Sequence, residues 1–301
     1  MRLGLKVDAD TLRGTREGVP ELLRLFDRHR VRATFLFSLG PDHTGRAIRR
    51  AFRPGFLSKV SRTSVVSHYG VRTLLYGTVL PGPDIGKLCA GIMRSVRDAG
   101  HEVGIHSWDH VEWQDKVSRK DHDWTRRQMV LAKERFAEVF GENARTHGAA
   151  GWQMNAPAFE LTATLGFDYS SDTRGRHPFR PVVNGRTLAC PQIPTTLPTL
   201  DELLGRDGMD EQNVADALLT ITGQKQSNPP VFTLHAELEG MKLLPVLSGL
   251  LDGWRAQGYQ PCPTETVFAE LDLPTLPQHL VGEGAVPGRS GQLAVQGQAT
   301  H

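Results

Sequence analysis

The sequence predicts an α/β fold with parallel strands, of the barrel-forming kind. Three observations predict it. The chain opens with a strand–helix–strand order, over residues 3–7, 15–30 and 33–37, which points to parallel pairing. Polar side chains that carry chemistry sit where predicted strands end: Asp8 and Asp10 after the first, His106 and His110 after residues 102–105, His235 after residues 231–234. Strand C-termini are where a barrel assembles a catalytic site. The third is length: 301 residues suit one large α/β barrel or two domains.

Composition excludes several classes. A net charge of +2 does not favour a nucleic-acid partner. No run approaches the ~20 apolar residues that span a bilayer. The N-terminus opens into a strand rather than an apolar signal segment, so export is not expected. Cys89, Cys190 and Cys262 are few and widely spaced, which fits a reducing cytoplasm and argues against a zinc–thiolate site.

The first strand ends in Asp8-Ala9-Asp10. Residues two apart on a strand point to one side, so both carboxylates can face one site. Held side by side they repel unless a cation lies between them. One could ligate a metal while the other works as a base; an Asx-capped turn is the plainer reading. Thr15 is the expected N-cap of the first helix, with Leu22, Leu23, Leu25 and Phe26 on its apolar face. Gly40-Pro41 stops the second strand.

Residues 45–80 break this rhythm. Seven basic residues, Arg46 to Arg72, are interleaved with apolar ones, and no acid occurs from Thr44 to Pro83. A basic amphipathic helical insertion of this kind suits an anionic membrane surface or a lipid phosphate. An ordinary insertion with a solvated basic face explains it as simply.

Asp84 is placed to cap a helix that Gly100 ends. The stretch His106-Ser107-Trp108-Asp109-His110 follows. Two imidazoles four residues apart can meet one ion if the backbone turns there like a helix. Trp108 and Trp113 could wall such a site or simply fill core. A long helix should run from Asp123 or Trp124 to Phe140, and Asn155 should start another before Pro157. The small-residue turn Ala149-Ala150-Gly151-Trp152 would let backbone approach a ligand. Asp172 ends a later strand, and Arg174, Arg176 and Arg180 crowd the loop beyond as a candidate phosphate grip. Residues 188–193 read as strand, 210–222 as helix, 231–234 as the strand that delivers His235, and 241–257 and 265–271 as helices. A catalytic domain should thus cover residues 1–273. From residue 274 the chain is rich in Gly, Pro, Gln and Ser, so residues 274–301 are expected to form a loosely ordered tail.

Assembled, these motifs resemble the polysaccharide deacetylases of the NodB-homology type. The likeness runs over roughly residues 1 to 290 and is strongest to the branch that deformylates an undecaprenyl-phosphate-linked 4-deoxy-4-formamido-L-arabinose. It rests on Val7-Asp8-Ala9-Asp10-Thr11, the run Arg13 to Pro20, Tyr69-Gly70, His106 to His110, Ala149 to Trp152, Ser170 to Gly175, and His235-Ala236-Glu237. The resemblance implies a distorted (β/α)7 barrel. It implies Asp10, His106 and His110 as metal ligands, Asp8 as catalytic base and His235 as general acid. Trp108, Trp152, Asp172, Arg174 and Arg180 are the candidate substrate contacts. The divalent ion suits zinc, with cobalt, manganese and iron(II) fitting the ligand set too. One departure stands out. Where the wider family has an Arg-x-Pro-aromatic motif whose Arg steadies the base, this chain has Ala149-Ala150-Gly151-Trp152, and what orients Asp8 is open.

The implied activity is removal of a formyl group from the lipid-linked sugar, giving formate and the free amine. The implied setting is the cytoplasmic face of the inner membrane, in a pathway that decorates lipid A and lowers affinity for cationic peptides. An N-deacetylase on another glycan, or a non-catalytic binder of a lipid-linked sugar, are the alternatives.

Overall fold

A computed structural model describes residues 1–51, 73 and 75–300. In chain order its strands are β1 (Arg2–Ala9), β2 (Thr34–Ser38), β3 (Glu102–Ser107), β4 (Thr146–His147), β5 (Tyr169–Ser170), β6 (Arg180–Val183), β7 (Arg186–Thr187), β8 (Val231–His235), β9 (Gln260–Cys262), β10 (Gln278–Gly284) and β11 (Leu293–Ala299). Seven of them form one sheet in the order β5-β4-β3-β2-β1-β8, with β9 also on β1. Every pairing in it is parallel.

β1 is the centre of this sheet because its sequence allows both faces to be covered. The run RLGLKVDA is buried after its first residue, as a strand between helical layers must be. The helix Val19–His29 packs Val19, Leu22, Leu25 and Phe26 inward, and Arg30 ends it in the left-handed region at φ 52°. The helix Ile85–Asp98 starts on Asp84, whose side chain accepts from Lys87 N. The helix His122–Phe140 starts on Asp121, and Gly141 closes it at φ 74°. Asn155 caps the helix Ala156–Thr164. The side chains of Asp84, Asp121 and Asn155 satisfy helix-start amides, and the parallel pairing keeps the strand C-termini together at one end.

The sheet curls, and the gap between β5 and β8 is bridged by irregular chain. Ile193 N donates to Ser170 O (2.8 Å), while Thr196 N and Leu197 N donate to Val231 O (both 3.1 Å). This is a seven-strand, incompletely closed barrel, as the resemblance implies. Residues 188–193, expected as one strand, pair only through isolated bridges at Gln192. Pro191 and Pro194 interrupt the run of amide donors a strand needs.

The chain after residue 274 corrects the expectation of a loose tail. β10 and β11 form an antiparallel hairpin, and β10 pairs in parallel with β6. With β7 they make a second sheet, β11-β10-β6-β7. Few apolar residues are needed, because one face is wet and backbone pairing supplies the order: His279, Leu293, Ala294 and Gln296 are the buried ones. Low hydrophobicity was a poor guide to disorder there. Of the basic insertion, the helix Thr44–Ala51 is described; residues 52–72 and 74 lie outside the described residues.

Candidate metal centre

Asp10, His106 and His110 come together, with ligating atoms all within 4.8 Å of one another. Asp10 follows β1, and His106 is in β3. The turn that brings His110 alongside is built by Asp109. Its carboxylate accepts from Glu112 N (3.0 Å) and caps the helix His110–Lys116. Its other oxygen meets His43 Nδ1 at 2.5 Å. His106 Nε2 lies 3.1 Å from Asp10 Oδ1, and His110 Nε2 lies 3.4 Å from Asp10 Oδ2.

The cluster fits a divalent cation on its own evidence. Asp8 Oδ1 and Asp10 Oδ1 are buried without a well-formed hydrogen bond, which is costly for a carboxylate unless a cation serves it. His106 Nδ1 is 2.7 Å from the Gly148 carbonyl. A carbonyl only accepts, so the ring proton belongs on Nδ1 and the Nε2 lone pair faces the cluster, the usual arrangement of a metal-ligating histidine. Burial alone would oppose ionisation of Asp10, but His110 and His106 outweigh it and hold its carboxyl well below the usual carboxylate range. Burial likewise depresses the His106 imidazole, and Asp8 and Asp10 more than offset it. For His110 burial prevails and the imidazole is pushed down, toward the neutral form that ligates.

Asp8 and His235 flank the cluster. Lys6, fully buried, is the group beside Asp8: its Nζ lies 3.6 Å from Asp8 Oδ2 and donates to Ser171 O at 3.2 Å. It also sits 5.2 Å from the centre of the Trp152 ring. Burial pulls the Lys6 ammonium down from its ordinary range, with Asp8 opposing. Lys6 therefore stands where the departure from the family motif had left a gap. Sequence reading missed it, although Lys6 is two residues from Asp8 on one strand and so shares its face.

His235 Nδ1 faces Asp201 Oδ1 at 3.9 Å. Burial works to depress the ring, but Asp201 and Asp10 raise it above the ordinary imidazole value. Two acids that follow hold the loop. Glu239 Oε2 accepts from His235 N (2.8 Å). Glu237 Oε1 accepts from Asp10 N (3.1 Å), Thr11 N (2.8 Å) and Thr11 Oγ1 (2.7 Å), tying the end of β8 to the end of β1. Burial pushes the Glu237 carboxyl up to about 8, with Asp10 adding to it.

The remaining sequence-expected residues divide. Trp152 is buried at the centre, in the left-handed region at φ 53°. Its Nε1 donates to Thr195 Oγ1 (3.2 Å), and its ring lies edge-on to His235 at 6.5 Å. Trp108 packs on Gly40 and under the Arg135 guanidinium (5.2 Å), where it joins the end of β2 to the helix His122–Phe140. Asp172 is fully buried, with its oxygens taken by His147 Nδ1 (2.7 Å) and Gln192 Nε2 (3.0 Å). Arg174 pairs with Glu202 and donates to Leu197 O (2.9 Å). Arg180 opens β6 in the second sheet and lines a separate cavity of about 420 Å³. The two arginines take different partners: Arg174 is committed to Glu202 and the Leu197 carbonyl, and Arg180 lines the separate cavity.

A curled parallel sheet with an Asp–His–His cluster, a paired acid and an imidazole at its strand C-termini defines a hydrolase of the divalent-cation type. The chain belongs to the polysaccharide deacetylase family, whose profile matches residues 4–170. It is 40% identical over 240 residues to a Shewanella sediminis protein named as a probable 4-deoxy-4-formamido-L-arabinose-phosphoundecaprenol deformylase, ArnD, covering 80% of this chain and 77% of that one. A Wigglesworthia glossinidia brevipalpis protein of the same name is 30% identical over 285 residues, covering 94% and 98%. Among solved structures, a Mycobacterium smegmatis chain assigned to the polysaccharide deacetylases superposes with a TM-score of 0.65 at 16% identity, covering 95% of this chain and 94% of that one. That likeness shows the fold.

Proposed function

We propose that the protein is a divalent-metal deformylase acting on undecaprenyl-phosphate-linked 4-deoxy-4-formamido-L-arabinose, releasing formate and the amino sugar. The observation that carries the reading is the cluster of Asp10, His106 and His110 with Asp8 and His235 on its flanks. The names of the relatives, at 40% and 30% identity, supply the substrate.

Asp10, His106 and His110 hold the ion, for which zinc is the first choice and cobalt, manganese or iron(II) suit the donors. When bound, the ion lowers the pKa of water and polarises the amide carbonyl. Asp8, oriented by Lys6, takes the proton of the attacking water. His235, whose imidazole Asp201 helps raise above its ordinary value, gives one to the departing amine. Each proton transfer contributes about 10²–10⁴-fold. Trp152 walls the acyl pocket; a formyl group is small, and such a wall works against acetyl.

The reaction belongs at the cytoplasmic face of the inner membrane, in lipid A modification and resistance to cationic peptides. Val79, 78% exposed, and Leu88, 61% exposed, are apolar side chains presented to solvent at and beyond the end of the basic segment 45–80. They support docking on an anionic bilayer, and no described helix is long and apolar enough to cross one. A substrate panel tests the assignment. Metal-loaded protein should release formate from the formamido lipid and leave its acetamido counterpart intact; acetate release would move the protein to a broader N-deacetylase. Equal co-sedimentation of wild type and a 45–80 charge-reversal variant with anionic vesicles would end the docking idea.

A further inference from the structure

The hairpin β10–β11, outside the parallel sheet, reaches into the same site. Its connecting loop carries Gly288 and Arg289. Gly288 has φ +89°, and a Cβ there would lie 2.4 Å from Glu202 O and 2.8 Å from Glu202 Cα. Only glycine lets the loop lie so directly on that backbone. Arg289 follows, and every arm of its guanidinium is engaged. Nη1 is 3.0 Å from Asp201 Oδ2. Nε donates to Glu202 Oε1 (2.9 Å). Nη2 donates to Asp201 Oδ1 (3.2 Å) and Thr199 Oγ1 (3.3 Å). The guanidinium lies 4.8 Å from the centre of the Trp152 ring.

Asp201 Oδ1, which accepts from Arg289, is also the oxygen that faces His235 Nδ1. One guanidinium thus reaches both groups that flank His235: Asp201, 3.9 Å from its Nδ1, and the Trp152 ring. A lysine ammonium could not match this fork of donors. Arg289 and Arg174 are balanced by Asp201 and Glu202, so the cluster carries no spare charge with which to bind an anion.

We infer that Arg289 is a positioning residue for amide hydrolysis, fixing Asp201 in the orientation that faces His235, and that the hairpin β10–β11 is part of the catalytic apparatus. This rests on His235 as general acid in the proposed function.

The test compares wild type, Arg289→Ala and Arg289→Lys, all metal-loaded, on whichever amide wild type turns over: the formamido lipid first, then an acetamido sugar. General-acid catalysis is worth about 10²–10⁴-fold, so Arg289→Ala should lower kcat about 10- to 100-fold with KM within about twofold. Millimolar guanidinium ion should restore part of that loss, and Arg289→Lys should recover less than Arg. Hydrogen–deuterium exchange across residues 278–299 should match wild type. A raised KM with kcat unchanged would make Arg289 a substrate contact and overturn the inference. So would unchanged kinetics, or a kcat loss accompanied by lost protection of the hairpin. Wild-type silence on the formamido lipid, with turnover of the acetamido sugar, would instead count against the substrate assignment alone.

Discussion

Asp8 and His235 are register partners on the adjacent parallel strands β1 and β8, and Ala236 N donates to Asp8 O at 2.9 Å. Partner residues in a parallel pair point to one side, about 4.8 Å apart across the strands. The two groups assigned to opposite ends of the proton transfer are therefore set side by side by backbone pairing. A slip of one residue would turn one of them away from the cluster.

Lys6 is expected to act on Asp8 and not on the ion. Lys6→Met removes the buried ammonium at 3.6 Å and should lower kcat about 10- to 100-fold by leaving the base unsupported. Metal affinity, measured by competition with a chromophoric chelator, should stay within a few-fold. Loss of metal in parallel with activity would show Lys6 supporting the whole cluster instead.

Glu237 should matter to metal affinity without touching the ion. Its Oε1 serves three donors at Asp10 and Thr11. Outer partners of this kind are worth about 10- to 100-fold in affinity. Glu237→Ala should weaken metal binding by that order, and Glu237→Gln, which keeps an acceptor, by less. Equal affinities for both variants would dismiss the clamp.

The opposite end of the barrel carries a pH-sensitive stability element. Glu102 accepts from Thr34 Oγ1 and Tyr169 Oη, each at 2.5 Å. Burial, opposed by these hydrogen bonds, pushes its carboxyl from 4.5 up to about 7. A raised folded-state pKa stabilises fully below the unfolded value and is lost as pH climbs through the folded one. Between pH 4.5 and 7, wild type should lose on the order of 3 kcal/mol that Glu102→Gln does not lose. Denaturant melts across that window measure it; parallel pH slopes for the two proteins would refute it.

Gly18 should not tolerate a side chain. A Cβ there would lie 2.0 Å from Ala236 O and 2.8 Å from Ala236 C, both backbone atoms that cannot swing aside as a side chain would. Gly18→Ala should cost about 1–3 kcal/mol or more and should disturb the His235 loop. Unchanged thermal stability and kcat would show that the two loops can separate freely.

The parallel sheet was legible because β1, β2, β3 and β8 announce themselves as short apolar runs ended by turn residues. The candidate ligands were legible because strand ends gather at one face, which brings Asp10 to His106 and His110 across nearly one hundred residues. Three groups escaped the reading for different reasons. Lys6 looked like a lone charge in an apolar strand, though its spacing from Asp8 was informative. Asp201 sits in a Thr199–Glu202 capping box, which explains it locally and hides its contact with His235. Arg289 lies in a Gly- and Gln-rich stretch whose order comes from β-pairing to β6, a long-range property with no local signature. Arg174 and Arg180 are close in sequence, but Arg174 is committed to Glu202 and Arg180 lines a separate cavity, a division that sequence spacing does not display.

The most direct measurement is formate release by the metal-loaded protein and by Asp8→Asn, with bound metal determined for both. The account predicts formate from the formamido-arabinose lipid for wild type, a loss of about 10²-fold or more in Asp8→Asn, and the same metal content in the two proteins. Undiminished turnover by a fully loaded Asp8→Asn would contradict Asp8 as the base, and absence of turnover by loaded wild type would contradict the deformylase itself.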